Sequence, residues 1–411
     1  MKLEKTAADF FAGIGLVTMG LNKQGWQVKY ALDYSDEKRC LYERNFGNEH
    51  YHHKDIRETS GSEVPKVTLA HASFPCSNIS AAGSKNGLYS GESSTFWDFI
   101  RIICEMGEVP SVGKPPFVLI ENVEGFLTSR CGEDLVAALK ALNNLGYTVD
   151  ILAIDAAHFV PQSRVRLFIF GNLFGLSQKP SELAQMMNQP TRARPKKIKD
   201  FIASNQTIKW SLAYLPDLPQ RVINLTDIVD DSEKWWVKER TQYLFNQMFD
   251  RHQAQISLMM QNKFWSYGTV FRRTRMRSGI KQSTAELRID GIAGCLRTPK
   301  GGSARQILVR FGLGRFDARL INACESARLM GASEYLIPEN TSLHNILFGF
   351  GDAVCVPVIE WISKNYINLL LDELDSRVNA SQQADLSVME MSGKSNYGDS
   401  RLPQMAVKLE H

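Results

Sequence analysis

The first 171 residues alternate short apolar runs with stretches in which apolar positions recur at helical spacing. Apolar runs of this kind predict buried strands, and the periodic stretches between them predict helices. The predicted strands are Ala7–Phe11, Val28–Leu32, Val67–Ala72, Phe117–Glu121, Thr148–Ile154 and Leu167–Gly171, and two of the predicted helices are Phe96–Glu105 and Asp134–Leu145. This alternation predicts an α/β fold built on a mostly parallel sheet.

The pattern changes after Gly171. Residues 172–310 are polar, interrupted by prolines and irregular, and apolar helix-and-loop segments return at Leu320–Gly331 and Phe348–Trp361. A chain of 411 residues favours two domains. Residues 371–411 are polar, so we expect a loose tail, and the final Leu-Glu-His matches the start of a purification tag.

Composition narrows the class of protein. With 44% hydrophobic and 22% charged residues, the chain is typical of an ordinary globular protein. No apolar run approaches the length that spans a bilayer, and the start lacks the apolar core of a signal peptide. The seven cysteines (40, 76, 104, 131, 295, 324 and 355) are scattered and form no CxxC pair, which favours reduced thiols in a cytosolic setting. The His-rich run at 50–53 is expected to be a solvated loop rather than a metal site.

The net charge is only +4, so a nucleic-acid partner would have to bind a local patch. Between Lys263 and Arg310 there are eleven basic residues against two acidic ones, interleaved with Trp265, Tyr267 and Phe271. This mixture predicts a surface that follows a phosphate backbone, with a solvated charged face as the alternative.

A glycine turn suggests a cofactor. The run DFFAGIG at 9–15 places glycines where a strand turns into a helix, which lets a ligand approach the backbone. Asp33 ends the next strand and can accept hydrogen bonds from both hydroxyls of a ribose, while Tyr34 offers a flat face to an adenine. Asp55 and Ile56 could add an acceptor and an apolar contact. The pattern predicts an adenosine-bearing cofactor, although Leu16 breaks the full GxGxxG motif and leaves a plain turn as the alternative.

Three further fragments carry reactive groups. Cys76 follows Phe74-Pro75 where a predicted strand stops, although a buried structural cysteine is the commoner case. Glu121 leaves the end of the apolar strand PPFVLIENV, and partial desolvation there suits it to hold or give a proton. Arg164 and Arg166 lie two apart in QSRVR, so on a strand they would face the same way. Taken singly, these could equally be a capping carboxylate and a surface arginine pair.

The order of the motifs is more specific than any one of them. The chain reads DFFAGIG, a strand-end acid, FPC, ENV, QSRVR, a long irregular stretch, ESARLMG and GFGDAVCVPV. In content and order it closely resembles the C5-cytosine DNA methyltransferases over residues 5–365, except near 175–290. The resemblance implies a Rossmann-like S-adenosylmethionine-dependent methyltransferase domain formed by residues 1–174 and 311–370. It also implies a smaller, irregular target recognition domain at 175–310.

The resemblance also implies a mechanism. The thiolate of Cys76 would add to C6 of a cytosine flipped out of duplex DNA, and C5 would then take a methyl group from S-adenosyl-L-methionine. Glu121 would bind N3 of the base. Arg164 would place the ring and steady charge at O2, with Arg166 supporting the site. No metal is required.

Site residues carry over motif by motif. The loop after Cys76 is rich in glycine and serine and would close over the flipped base, with Ser80 touching a phosphate. Three positions depart from the common pattern: Ser77 replaces glutamine, Leu16 replaces glycine and Asp352 replaces asparagine. The implied cofactor residues are Phe11, Ala12, Gly13, Ile14, Gly15, Leu16, Asp33, Tyr34, Asp55, Ile56, Pro75, Asp352 and Ala353. From the basic stretch we add Arg272, Arg273, Arg275 and Arg277 as DNA-binding residues.

The architecture resembles the methylating half of a bacterial restriction–modification system. Such an enzyme would act on double-stranded DNA in the bacterial cytoplasm, without a membrane, beside a cognate restriction endonuclease. Three alternatives stay open: a tRNA-methylating member of the same family, a catalytically silent DNA-binding relative, and an NAD-type oxidoreductase. The size of the 175–290 segment argues against the first, and the intact Cys76, Glu121 and Arg164 argue against the second. Only the glycine turn favours the third.

Overall fold

The computed structural model describes residues 3–77, 79, 87–176, 180–188, 191–277, 280–298, 305–339 and 341–377, with the side chains of 180, 182, 183, 275, 277 and 280 excepted. Its main element is a seven-stranded sheet of order β3-β2-β1-β4-β5-β7-β6. The strands are β1 (Thr6–Phe10), β2 (Gln27–Asp33), β3 (Tyr51–His53), β4 (Leu69–Ala72), β5 (Phe117–Val123), β6 (Thr148–Asp155) and β7 (Val165–Asn172).

The sheet is mostly parallel, as predicted, but β7 runs antiparallel to both β5 and β6. The short link between β6 and β7 explains the reversal. It contains only a 3₁₀ turn at Ala156–His158, and a return to a parallel strand needs a crossover of a dozen or more residues.

Helices pack on this sheet through apolar faces. In α3, Phe96, Phe99, Ile102, Ile103 and Met106 are all buried. Ser35 caps α2 (Asp36–Phe46), because its Oγ accepts a hydrogen bond from Lys38 N at 3.4 Å. The helices of this part are α1 (Leu16–Asn22), α2 (Asp36–Phe46), α3 (Thr95–Glu108), α4 (Glu133–Asn144), α5 (Pro180–Asn188) and α6 (Lys196–Ser204).

A second, antiparallel sheet lies in the stretch that was expected to be irregular. Its order is β11-β10-β8-β9, formed by β8 (Ser266–Arg277), β9 (Ile280–Arg288), β10 (Ile307–Gly312) and β11 (Arg315–Leu320). Two helices, α7 (Lys238–Asn246) and α8 (Asp250–Met259), share its small apolar core, in which Leu244, Ile256 and Val270 are buried. The sheet extends to Leu320, past the predicted boundary at 310, because the hairpin β10–β11 pairs with β8. The division into domains stays a prediction.

The chain then returns to the main sheet through α9 (Ala323–Leu329), α10 (Leu343–Asp352) and α11 (Val356–Ile362). Gly20 of α1 lies against α11 so closely that a Cβ there would be 2.7 Å from Ile359 Cβ. By length and composition, the helical run Leu343–Arg377 could cross a membrane, contrary to the sequence expectation. However, 61% of the most apolar 18-residue stretch of this run is buried, and residues 353–355 interrupt the helix.

Two smaller expectations are also corrected. The His-rich run is not a loop, since Tyr51–His53 forms the edge strand β3 and the His52 ring stacks on Tyr30 with centroids 4.2 Å apart. Residues 371–377, assigned to the loose tail, are helical, and 368–377 together with Leu3 belong to a separate compact unit. Residues 378–411, with the final Leu-Glu-His, lie outside the described residues.

Candidate active site

Cys76 lies on a loop that several side chains hold in place after β4 ends. Phe74 is buried against Phe96 and Phe126, with ring centroids 5.3 and 5.8 Å away. Its carbonyl accepts a hydrogen bond from Asn122 Nδ2 at 3.0 Å, and the next carbonyl, that of Pro75, accepts one from Ser93 Oγ at 2.9 Å. The motif ENV therefore fixes the FPC loop, and Cys76 itself is half-buried.

A carboxylate and a guanidinium form a pair beside this loop. Glu121 lies on β5 and is only 5% exposed, and Arg166 lies on the neighbouring strand β7. Arg166 Nε is 3.0 Å from Glu121 Oε1. A buried carboxylate needs such a partner, because an unpaired charge is costly to bury.

The electrostatics of Cys76 depend on this pair. Burial raises the pKa of the Cys76 thiol, and the negative charges of Glu121 and Asp352 raise it further. The guanidinium of Arg166 opposes this and lowers the pKa of the thiol. Arg166 is therefore a charged group that favours the thiolate form of Cys76.

Both arginines lie next to Cys295, but Arg164 makes a different set of contacts. It precedes β7 rather than lying in it, and only 2% of it is exposed. Its guanidinium donates hydrogen bonds to the carbonyls of Leu296 (2.9 Å), Gly351 (2.9 Å) and Ala353 (2.6 Å), and to Cys295 Sγ (3.3 Å). The geometry thus pairs Arg166 with Glu121, while Arg164 ties together distant segments of the chain.

Sequence reasoning gave Cys295 no role. The structure places it next to both arginines, where Arg164, Arg166 and Arg297 outweigh the effect of burial and lower the pKa of the Cys295 thiol. No local motif marks this residue, because its contact with Arg164 joins positions 131 residues apart.

Six of the predicted cofactor residues line one cavity at the carboxyl edge of the sheet. Tyr34 is 57% exposed there, so the face of its ring is free to stack on a planar group. The six residues are Phe11, Asp33, Tyr34, Asp55, Ile56 and Pro75, and the lining that sequence reasoning missed is Leu32, Lys54, Arg57, Glu92 and Thr95.

The glycine turn has the geometry that its sequence predicts. Gly13 and Gly15 have φ of 58° and 83°, and a Cβ on Gly15 would lie 2.3 Å from Phe46 Cε2, so only glycine fits. Asp33 fastens this turn, because its carboxylate accepts hydrogen bonds from the backbone N–H of Gly13 and of Ser35, both at 2.9 Å. Its remaining lone pairs are left for a ligand.

Other predicted residues lie elsewhere. The side chains of Ile14 and Leu16 are buried in the core at 2% and 1% exposure, and Ala12 is also buried. The carbonyl of Ala353 already accepts from Arg164, and Asp352 pairs with Lys38. Ser80 lies outside the described residues.

The basic stretch is partly neutralised within the protein. Arg310 lies between the rings of Trp235 and Trp265, 4.3 Å from each centroid, and bonds Asp317 at 2.8 Å. Among the predicted DNA-binding residues, Arg272 is half-buried, and Arg273 is exposed but pairs with Glu286 at 3.2 Å. The side chains of Arg275 and Arg277 lie outside the described part of the chain. Phe271, Arg273, Cys295 and Arg297 line a cleft on the second sheet.

The α/β fold thus joins a glycine turn to the carboxylate of Asp33 at one cavity, and it places the thiol of Cys76 near the Glu121–Arg166 pair. Residues 6–368 match the family described as C-5 cytosine-specific DNA methylase, and the chain belongs to this family.

Curated relatives agree with this assignment. The chain is 29% identical over 170 residues to the type II methyltransferase M.BsuFI of Bacillus subtilis, which is 41% of this chain and 39% of the relative. It is 32% identical over 174 residues to M.HaeII of Haemophilus aegyptius, covering 42% and 52% of the two chains. With M.FnuDI of Fusobacterium nucleatum it shares 28% identity over 230 residues, 55% and 62% of the two chains. The match therefore spans between about two fifths and three fifths of these relatives.

Solved structures show the same fold. The Schizosaccharomyces pombe Dnmt2 methyltransferase superposes with a TM-score of 0.55 at 17% identity, covering 90% of this chain and 99% of that one. A putative DNA modification methyltransferase encoded within an Escherichia coli prophage superposes with a TM-score of 0.52, also at 17% identity, covering 89% of this chain and 99% of that one.

Proposed function

We propose that this protein transfers a methyl group from S-adenosyl-L-methionine to C5 of a cytosine flipped out of duplex DNA, through a covalent bond between Cys76 and C6. The observation that carries the proposal is the position of Cys76, between the Glu121–Arg166 pair and the cavity that Pro75 borders. Membership of the cytosine-specific family supports it.

The residues at the cavity fit the cofactor. Asp33 keeps free lone pairs for ribose hydroxyls, and the exposed ring of Tyr34 with the apolar Ile56 and Phe11 suits an adenine. When bound, S-adenosylmethionine supplies an electrophilic methyl group. The protein's part is to hold it with the methyl directed toward the Cys76 loop.

Cytosine C5 is a poor nucleophile, so the ring must be activated first. The thiolate of Cys76 adds to C6, which pushes electron density onto C5 and toward N3 and O2 of the base. After C5 has gained its methyl group, loss of the C5 proton and of the thiolate regenerates the double bond and the free enzyme.

Glu121 and Arg166 serve this step together. Glu121 holds a proton at N3, which draws electron density from the ring as the thiolate adds. Arg166 orients Glu121, favours the thiolate and lies where charge develops at O2. Arg164 acts indirectly, as a positioning residue that donates hydrogen bonds to the carbonyls of Gly351 and Ala353.

Duplex DNA is the substrate we propose because of the second sheet. Its cleft combines Phe271 with two arginines, since Arg273 and Arg297 each have their guanidinium carbon 5.4 Å from the ring centroid of Phe271. The cleft reaches Cys295, which contacts Arg164. Such a surface can bind phosphates and place the target base near Cys76. The names of the type II relatives support a role in restriction–modification, with a cognate endonuclease as partner.

Bisulfite sequencing of plasmid DNA from expressing cells that lack cytosine methylases tests the proposal. The wild-type chain and Cys40→Ser, which changes an exposed thiol on α2, should both give methylated cytosine in one sequence context. Cys76→Ser should give none. Methyl transfer to purified tRNA but not to duplex DNA would instead establish the tRNA-methylating alternative.

A further inference from the structure

An ion pair joins α2 to the end of α10 beside the glycine turn. Lys38 Nζ is 3.0 Å from Asp352 Oδ2. The aliphatic stem of Lys38 runs along the turn, since a Cβ on Gly13 would lie 3.9 Å from Lys38 Cδ. No local sequence signal predicts this contact, and Asp352 is one of the three positions that depart from the common pattern of the family.

The pair lies close to Asp33 of the cofactor cavity and to Cys76. Burial lowers the pKa of Lys38, but the charges of Asp33 and Asp352 outweigh it and raise the pKa. Asp352 in turn is close enough to Cys76 to raise the pKa of its thiol. Lys38 is therefore near the carboxylate that lines the cavity, and Asp352 is near Cys76.

The amino-acid end of S-adenosylmethionine carries charges that match this ion pair. This match rests on the proposed function. With its adenosine at Asp33 and its methyl directed toward Cys76, the amino-acid end must lie within reach of both. That end carries one ammonium and one carboxylate. Asp352 alone would repel the carboxylate and Lys38 alone would repel the ammonium, whereas the two together match a zwitterion.

We infer that Lys38 and Asp352 form the seat for the amino-acid end of the cofactor, with Lys38 donating to its carboxylate and Asp352 accepting from its ammonium. In the unliganded protein the two side chains satisfy each other. When the ligand binds, each side chain exchanges the other for the oppositely charged group of the ligand, so neither charge is left unpaired. The acid at 352 thereby becomes compatible with an anionic ligand group, because Lys38 balances it.

Ligand analogues separate this seat from a purely structural bridge. We would measure equilibrium binding without DNA by calorimetry, using S-adenosylhomocysteine, its decarboxylated and deaminated analogues, and 5′-methylthioadenosine, which lacks both groups. Lys38→Met keeps the aliphatic stem of the side chain. It should lower the affinity for S-adenosylhomocysteine about tenfold and leave the affinity for the decarboxylated analogue unchanged. Asp352→Ala should lower the affinity for S-adenosylhomocysteine by a similar factor and leave the affinity for the deaminated analogue unchanged.

Controls make every outcome decisive. Lys38→Arg keeps the charge and should restore most of the affinity, and 5′-methylthioadenosine should bind all variants equally. Arg39→Met removes a neighbouring ion pair on α2, with Glu43 at 2.7 Å, and should change no affinity. Unchanged binding of S-adenosylhomocysteine to both variants, or equal weakening of all four ligands, would overturn the seat. If the wild-type chain bound neither S-adenosylhomocysteine nor 5′-methylthioadenosine, the proposed cofactor itself would be wrong.

Discussion

Replacing Arg164 with methionine should destabilise the fold more than the loss of most surface arginines. Methionine keeps the apolar volume of the side chain but removes all of its hydrogen-bond donors. The carbonyls of Gly351 and Ala353 would then lose the donor that Arg164 supplies, and that of Leu296 would keep only Cys295 Sγ at 3.2 Å, in a region where Arg164 is only 2% exposed. Because these acceptors lie on two separate segments, their loss should also loosen the end of α10.

The magnitude follows from those bonds. Each buried carbonyl left without a donor costs about 1–3 kcal/mol, so those of Gly351 and Ala353 together would cost about 2–6 kcal/mol if nothing relaxed. Water entering the space reduces this, and removing one partner from a buried charged network costs about 3–5 kcal/mol in other proteins. We therefore expect a loss of about 3–5 kcal/mol in the free energy of unfolding.

Urea denaturation followed by tryptophan fluorescence measures this loss. Arg315→Met is the matched control, because Arg315 is exposed and its bond to Asp317 is 3.2 Å long, so we expect a loss below about 1 kcal/mol. A change of less than about 1 kcal/mol in Arg164→Met would refute the reasoning. It would mean that water replaces the guanidinium at little cost.

Three further predictions follow from the site. Iodoacetamide reacts with the thiolate, so alkylation of Cys76, whose pKa is raised, should accelerate as the pH increases. At one fixed pH, alkylation measured by mass spectrometry should be faster in Glu121→Gln, which removes a charge that raises this pKa, and slower in Arg166→Gln, which removes a charge that lowers it. The opposite order of rates would contradict the charge assignment. Gly15→Ala should cost about 2 kcal/mol or more of unfolding free energy, because φ is 83° and Phe46 fills the space; a urea midpoint equal to wild type would count against this. DNA affinity should fall steeply with added salt, and a flat dependence in a filter-binding assay would exclude a phosphate-binding surface.

The sequence predicted the strands that are buried on both faces, and it missed what long-range contacts decide. β1, β4 and β5 are mainly apolar and buried along almost their whole length, so their composition predicted them. β3 is a three-residue edge strand and carries too little pattern. The second sheet was missed because closely spaced arginines in β8 obscure its alternation of apolar and polar residues.

The same limit applies to the site. Cys76, Glu121 and the residues around Asp33 were predicted as site residues because each lies at or just after the end of a predicted strand, and strand ends of a parallel sheet meet at one edge. The rule that residues two apart share a face agrees with the position of Arg164 and Arg166 beside the same residue, Cys295, but it gives no indication of which backbone carbonyls accept from Arg164. Its partners, like the partner of Lys38, lie in a segment far along the chain that no local spacing relates to it.

The covalent step is the central claim, and one measurement tests it directly. Duplex DNA carrying 5-fluorocytosine at the target cytosine cannot complete the reaction, because fluorine replaces the proton that must leave C5. Incubation with S-adenosylmethionine should therefore leave the wild-type chain bound to DNA after denaturation, with the mass of one methylated adduct located at Cys76. The Cys76→Ser variant should form none. A wild-type chain that methylates ordinary DNA but forms no adduct, or an adduct located at another residue, would contradict the account.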